Sequence, residues 1–494
     1  MLKKITAAAL STALCVTASI PFTGNCAAGV QPTNINLSAV RSADDIPVPA
    51  DLRTGETPVK KGELGNNILY FLYEDGTVYI KGYGEMGDFI GTPFEKSAKN
   101  IKKAVFINDG DGITNIGNSL FCNCPELEEA ELPDTVASIG VSSFSSCPKL
   151  KKVNIPKAVT SIGVWAFADD TSLEAIELPD SLKLIDRAAF QGCTALKEVT
   201  FPEKLETLRG LSFQNCTSLT EVTVPENVTT IGPYAFGGCT SLKKAIVNGG
   251  SKQLGEKLFE KCTALEELTL PNADTAIFRE NDAEPLKWLG TLFGSFVSGY
   301  TYGVGFANTT YYIPNSLQKV TITGGTKVAD EAFYGFSSLT EAVIPDDIEY
   351  LGVSSFSGCS ALETFKMPSK ATFIGANAFL NCKMINVDIP VGVTEIGANA
   401  FENCSSITEI NVPKATNKIG DAAFSGCISL KKAVISTCKN GIGKRTFNKC
   451  MSLSDLTLPY TGFDAESASA KDSSCLCQLF GEYISGYIYG RCSP

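Results

Sequence analysis

The chain has 494 residues, is 44% apolar and 19% charged, and carries a formal net charge of −11. That composition folds rather than staying disordered, and the acidic balance argues against nucleic acid as a partner. The absence of histidine removes Ser-His-Asp and Cys-His catalysis, His-ligated metal sites and the usual pH switch.

Residues 1–28 read as a secretory signal. Lys3 and Lys4 supply the positive start, Ile5–Ile20 an apolar stretch, and Ala28 a small residue at the cut. Elsewhere the apolar runs are too short for a membrane span. Residues 29–64 are rich in Pro, Asp, Ser and Thr, and read as a linker. In residues 65–107, Ile68–Tyr73, Asp75-Gly76 and Val78–Ile80 spell a hairpin with a favoured turn dipeptide. Such a hairpin is expected to cap the structure that follows. Asn108-Asp109-Gly110-Asp111-Gly112 lacks the later Glu of a calcium loop and reads as a polar turn.

A repeat then takes over. Phe-x-x-Cys recurs at Phe121/Cys124, Phe144/Cys147, Phe190/Cys193, Phe213/Cys216, Phe236/Cys239 and Phe259/Cys262, with Phe167/Asp170 keeping the register. Each Phe lies 23 residues after the last. A second block runs through Phe333/Phe336, Phe356/Cys359, Phe379/Cys382, Phe401/Cys404, Phe424/Cys427 and Phe447/Cys450, with one step of 22. A fixed period of this size marks a solenoid whose single coils cannot bury their apolar faces alone. Within one coil, Leu219-x-x-Val222-x-Val224 alternates as a short strand and Pro225 ends it. Val228 and Ile231 point inward along a return segment, Gly232 marks a bend, and Ala235, Phe236 and Cys239 fill the far side. At about 4.8 Å per strand, some fourteen coils make a rod roughly 65–70 Å long.

This pattern resembles the BspA-like (Treponema pallidum type) leucine-rich repeat family. Ile389-Pro390, Val393, Ile396-Gly397, Ala400-Phe401 and Cys404 carry the match. The expected fold is a repeat solenoid: a leucine-rich-repeat-like right-handed coil of short parallel β-strands, with irregular or short helical return segments and the N-terminal β-hairpin cap. Repeat blocks are expected at 108–272 and 317–459. The resemblance implies a secreted or cell-surface bacterial protein that binds other proteins, adhesin-like, and does not imply a catalytic site. No catalytic residue, cofactor or metal is expected.

Of the eighteen cysteines, eleven sit at the repeat position and read as a buried thiol ladder, because parallel side chains on successive coils do not aim at one another. Cys475, Cys477 and Cys492 lie off the repeat, where a disulfide from Cys492 to one of the pair competes with free thiols. Cys122 is a further off-register thiol with no evident chemistry.

The exposed strand row Glu128, Lys151, Glu174, Lys197, Thr220, Lys243, Glu266 mostly alternates in sign. It reads either as a self-compensating solvated face or as a polar surface for a protein partner, with Lys151, Glu174 and Lys197 as candidates. From Phe259 to Phe333 the spacing exceeds one period by 51 residues. The excess is read as a Gly- and aromatic-rich insertion, 273–316. Residues 460–494 hold a partial copy: Leu479-Phe480-Gly481 echoes Leu292-Phe293-Gly294. Either the insertion packs its aromatics on the solenoid or it exposes Trp288, Tyr300 and Tyr302 as binding anchors. Leu458-Pro459-Tyr460-Thr461-Gly462 spells a wall-anchoring motif without the apolar span such a motif needs, so no covalent anchor is recognised. An extracellular protein ligand is the leading expectation. Extracellular polysaccharide binding and a purely structural scaffold are the alternatives.

Overall fold

The computed structural model describes residues 46–49, 52–53, 55–248, 253–272, 277–278, 289–294, 313–436, 438–459 and 477–480. They form a parallel β-solenoid of about 15 turns with almost no helix. At its start, β1 (Lys60–Gly65), β2 (Ile68–Leu72) and β3 (Thr77–Gly84) pair antiparallel, and β3 pairs parallel with β4 (Lys103–Ile113). The next strand of that sheet, Glu129–Glu131, is already the front strand of a coil, so the hairpin continues the front sheet.

Two stretches read as linker are packed instead. Residues 60–65 form β1. Ile46 and Leu52 are buried with Phe71 and Tyr73 on the outer side of the N-terminal sheet. Arg53 fastens this segment through Asp75 (2.7 Å) and lies over the Tyr73 ring. The polar composition of the stretch hides its few apolar anchors.

Most coils contribute two strands. The front ones, such as Glu221–Val224 and Lys244–Val247, pair parallel and in register one period apart. The return segment forms a second parallel sheet of mostly two-residue strands, from Asn115–Ile116 through Thr230–Ile231 to Ile277–Phe278, and again from Lys327–Val328 to Lys418–Ile419. The sequence reading placed no sheet there. Two residues are too few to show an alternation, although Ile231 does point inward.

Behind the front strands, the phenylalanines stack in one column. Phe144 and Phe167 are 5.1 Å apart at 5°, and Phe356 and Phe379 are 5.3 Å apart at 1°. The column begins one ring before the first Phe-x-x-Cys, at Phe94, against which Tyr70 packs edge-on at 5.1 Å. Phe144, Phe190, Phe213, Phe236, Phe356 and Phe401 are fully buried. So are Cys147, Cys193, Cys216, Cys239, Cys359 and Cys404. These thiols are free, and each has a task. Cys216 Sγ donates to the carbonyl of Phe190, one coil back, at 3.2 Å, and Cys404 Sγ does the same to Phe379 at 3.1 Å. The sulfurs aim at backbone, not at one another.

The turn around each ring is not helical, and its backbone explains why. Among the described residues, every non-glycine residue with positive φ except Glu95 lies two residues before or two residues after a column phenylalanine. Two left-handed residues per turn interrupt any helix. Gly232 serves a different need: a Cβ there would overlap the backbone nitrogen of Gly210 on the preceding coil.

The long interval between blocks contains a coil of its own. Ile277–Phe278 pairs with Leu254–Gly255 in the back sheet. A 3-10 helix at Leu289–Phe293 then occupies the position of a Phe turn, where Phe259 N donates to Leu292 O at 2.8 Å. Phe293 enters the column between Phe259 and Phe336. The front strand Glu267–Leu270 therefore pairs directly with Lys319–Ile322. At the other end, Phe447 N donates to Leu479 O at 2.9 Å, and Phe480 stands 6.4 Å from Phe447. The two Leu-Phe-Gly motifs thus play the same part.

Candidate binding surface

The front face presents alternate side chains of every front strand to solvent, because successive residues of a strand point to opposite sides. Val222 and Val224 go in, and Glu221 and Thr223 go out. The backbone beneath is a ladder: Lys151 N donates to Glu128 O, Lys197 N to Glu174 O and Lys243 N to Thr220 O. Lys151, Glu174 and Lys197 are all exposed on it.

Their charges are satisfied from coil to coil. Lys197 Nζ lies 2.6 Å from Glu174, and Lys151 Nζ lies 4.0 Å from Glu128. The hydrogen bond from Lys197 holds the Glu174 carboxyl below its ordinary range. A second row carries Lys103–Glu129–Lys152, both pairs at 3.1 Å. Farther along, Glu267 sits between Lys244 and Lys319 in the sheet register, and Lys319 reaches Glu341 at 3.0 Å. Exposed pairs of this kind add little to stability and exchange readily with partner charges.

Trp288, Tyr300 and Tyr302 lie outside the described residues. Within the insertion, the described 3-10 helix Leu289–Phe293 is buried in the solenoid. The aromatics seen on the surface are elsewhere. On the back sheet, the half-buried Tyr350 and Phe373 stack on each other at 4.8 Å and 2°. Their ring faces meet each other and do not form an open platform for a sugar.

Among the described residues, the repeat thiols are held protonated. Burial pushes the Cys239 thiol up to about 12 and the Cys147 thiol well above its ordinary value, so neither is a thiolate nucleophile. Among the described residues there is no cluster of His, Cys, Asp or Glu that could hold a metal ion, and no helix long and apolar enough to cross a membrane. One cysteine departs from the sequence reading. Cys122 is half of a disulfide whose other half falls outside the described residues. It is buried and immediately follows Phe121. Any bridge among Cys475, Cys477 and Cys492 involves side chains outside the described residues.

A surface of stacked parallel strands over ring and thiol columns defines a leucine-rich-repeat solenoid. The profile of the BspA type leucine rich repeat region, in six copies, matches residues 94–216, 160–281 and 326–454. The chain belongs to that family. Similar solved structures include a leucine-rich repeat protein from Bacteroides ovatus, at 25% identity, covering 80% of this chain and 99% of that one with a TM-score of 0.45. A leucine rich cell surface protein from Faecalibacterium prausnitzii is 22% identical, covering 82% and 96% with a TM-score of 0.30. The leucine rich repeat protein of T. pallidum is 26% identical, covering 45% and 86% with a TM-score of 0.29. Comparison with curated proteins gives no match.

Proposed function

We propose that this chain is a secreted or surface-displayed scaffold that binds a partner protein through the front face, with Trp288, Tyr300 and Tyr302 as additional anchors. One observation carries the reading: the front face holds a long array of exchangeable ion pairs at one-coil spacing, while the columns behind it are fully buried. Such a surface is suited to recognition. The leader at 1–28 and the family's surface members support an extracellular setting.

The test is binding of the protein to a panel of immobilised extracellular-matrix proteins and polysaccharides. The double variant Lys151→Glu, Lys197→Glu places carboxylates beside Glu128 and Glu174. It should weaken binding to a matrix protein at least tenfold while leaving the melting temperature nearly unchanged, because the sites are exposed. Binding that survives the reversal takes the site off this part of the face. A further loss on replacing Trp288, Tyr300 and Tyr302 with Ala locates the anchors. Binding confined to polysaccharides refutes the protein-partner reading.

A further inference from the structure

One coil breaks the period, and the break opens a site. From Phe379 to Phe401 the step is 22 residues instead of 23. The missing residue lies between Cys382 and Met384. Elsewhere the repeat Cys is followed three residues later by a Leu or Ile, buried in every case but the half-buried Leu453, whose N–H donates to the Cys carbonyl, as from Leu219 to Cys216 at 3.1 Å and from Leu362 to Cys359 at 3.0 Å. Here Met384 takes the buried place only two residues on. Among the described residues, that hydrogen bond is absent from this coil alone of those with a Cys at the repeat position. The Cys382 carbonyl and the Met384 N–H lose their usual partners. The coil also forms no front strand between Thr364–Phe365 and Glu409–Val412.

The omission leaves a notch of about 320 Å³, lined by Ser360, Asn381, Cys382, Lys383, Asn403, Ser405 and Ser406. In other coils a pair of residues such as Thr217-Ser218 fills this edge, and here Lys383 stands alone. Lys383 Nζ is held by Glu363 at 2.6 Å, so the notch carries no free positive charge. Asn403 Nδ2 donates to Asn381 Oδ1 at 3.0 Å, which orients the two carboxamides relative to each other. The lining side chains both give and take hydrogen bonds: the carboxamides of Asn381 and Asn403 and the hydroxyls of Ser360, Ser405 and Ser406.

We propose that this notch binds a neutral, hydroxyl-bearing ligand, a single sugar unit at the end or side of a glycan. An anion would meet a Lys383 already neutralised by Glu363. A cation would compete with Lys383 itself. A sugar hydroxyl both gives and takes hydrogen bonds, and satisfies both kinds of group without adding charge. The site lies in the second repeat block, whereas Lys151 and Lys197 lie in the first, and it stands independently of the front-face reading.

The test is ligand-observed saturation-transfer NMR on the full chain with glucose, galactose, N-acetylglucosamine and maltose, with phosphate and acetate as anionic controls. We expect transfer to at least one sugar, saturable in the millimolar range characteristic of weak sites. Inserting Ala between Lys383 and Met384 restores the 23-residue step and should abolish the transfer. Ser406→Phe fills the notch without touching the chain length and should do the same. No transfer to any sugar, transfer to the anions instead, or transfer unchanged in the variants with a native-like melting curve would each overturn the assignment.

Discussion

At the scale of single residues, Asp170 shows what the thiol column does. It occupies a repeat-cysteine position and is fully buried. Its Oδ1 accepts from Cys147 N at 2.8 Å, and its Oδ2 has no partner. The Phe144 carbonyl therefore loses both donors that its counterparts keep: the amide of Cys147, diverted to Asp170, and a thiol from the next coil. Burial pushes the Asp170 carboxyl well above its ordinary value of 3.8. The folded state thus holds a proton that the unfolded state releases. Stability from this group is complete below about pH 4 and falls as pH rises, by about 1.4 kcal/mol per unit, until the raised value is passed. Asp170→Asn cannot titrate. Urea midpoints of the two proteins should diverge in favour of Asn as pH rises from about 4, on that same slope. A constant difference would mean that water reaches the carboxylate. Asp170→Cys should restore the thiol donor and gain about 1–3 kcal/mol at neutral pH by satisfying the orphaned groups.

At the scale of the element, the coil is a front strand, a back strand and a ring turn, and these were unequally legible in the sequence. The front strand and the ring turn announced themselves through Val222, Val224, Phe236 and Cys239, because alternation and period both act on large side chains. The back strand did not, since Thr230–Ile231 offers one inward residue. The coil centred on Phe293 was read as part of an insertion, because it stands 34 residues after Phe259 and 40 before Phe333, and it lacks a cysteine. Its echo in Leu479-Phe480-Gly481 was the usable signal. The notch at Cys382 was visible only as a step of 22. Nothing local marked it, since Met384 is as apolar as the Leu it replaces. The disulfide at Cys122 had no signal beyond an off-register thiol. Energetically the element rests on its ring. Phe236 contacts Phe213 at 5.8 Å and Phe259 at 6.0 Å and is fully buried. Phe236→Ala should cost about 3–5 kcal/mol through lost burial and a cavity. Hydrogen exchange should rise in the flanking coils and stay native-like near Phe401, because contacts in a solenoid run between neighbours. A loss under about 1 kcal/mol would contradict the packing of the column.

At the scale of the whole molecule, order is one-dimensional: what each coil needs from its neighbours is the same ring, thiol and strand register at both faces. That requirement makes the length of the rod adjustable in whole periods and in nothing smaller. Deleting residues 194–216 joins Cys193 to Thr217. Phe190 then meets Phe236, Cys239 takes the Phe190 carbonyl that Cys216 held at 3.2 Å, and Ala175 pairs with Glu221 where it paired with Glu198. Leu184 of the back sheet meets Thr230 in place of Thr207. Every column survives, so the shortened chain should keep the circular-dichroism spectrum per residue and a cooperative melt at a modestly lower temperature. Deleting 194–205 removes about half a coil and joins Cys193 to Glu206. Strand, ring and thiol then face the wrong partners, and the buried Phe190 carbonyl loses its thiol donor. That chain should lose cooperative melting, at least around the junction. Equal tolerance of the two deletions would show that the coils are held by something other than the columns, and equal intolerance would show that the block folds as one unit and not coil by coil.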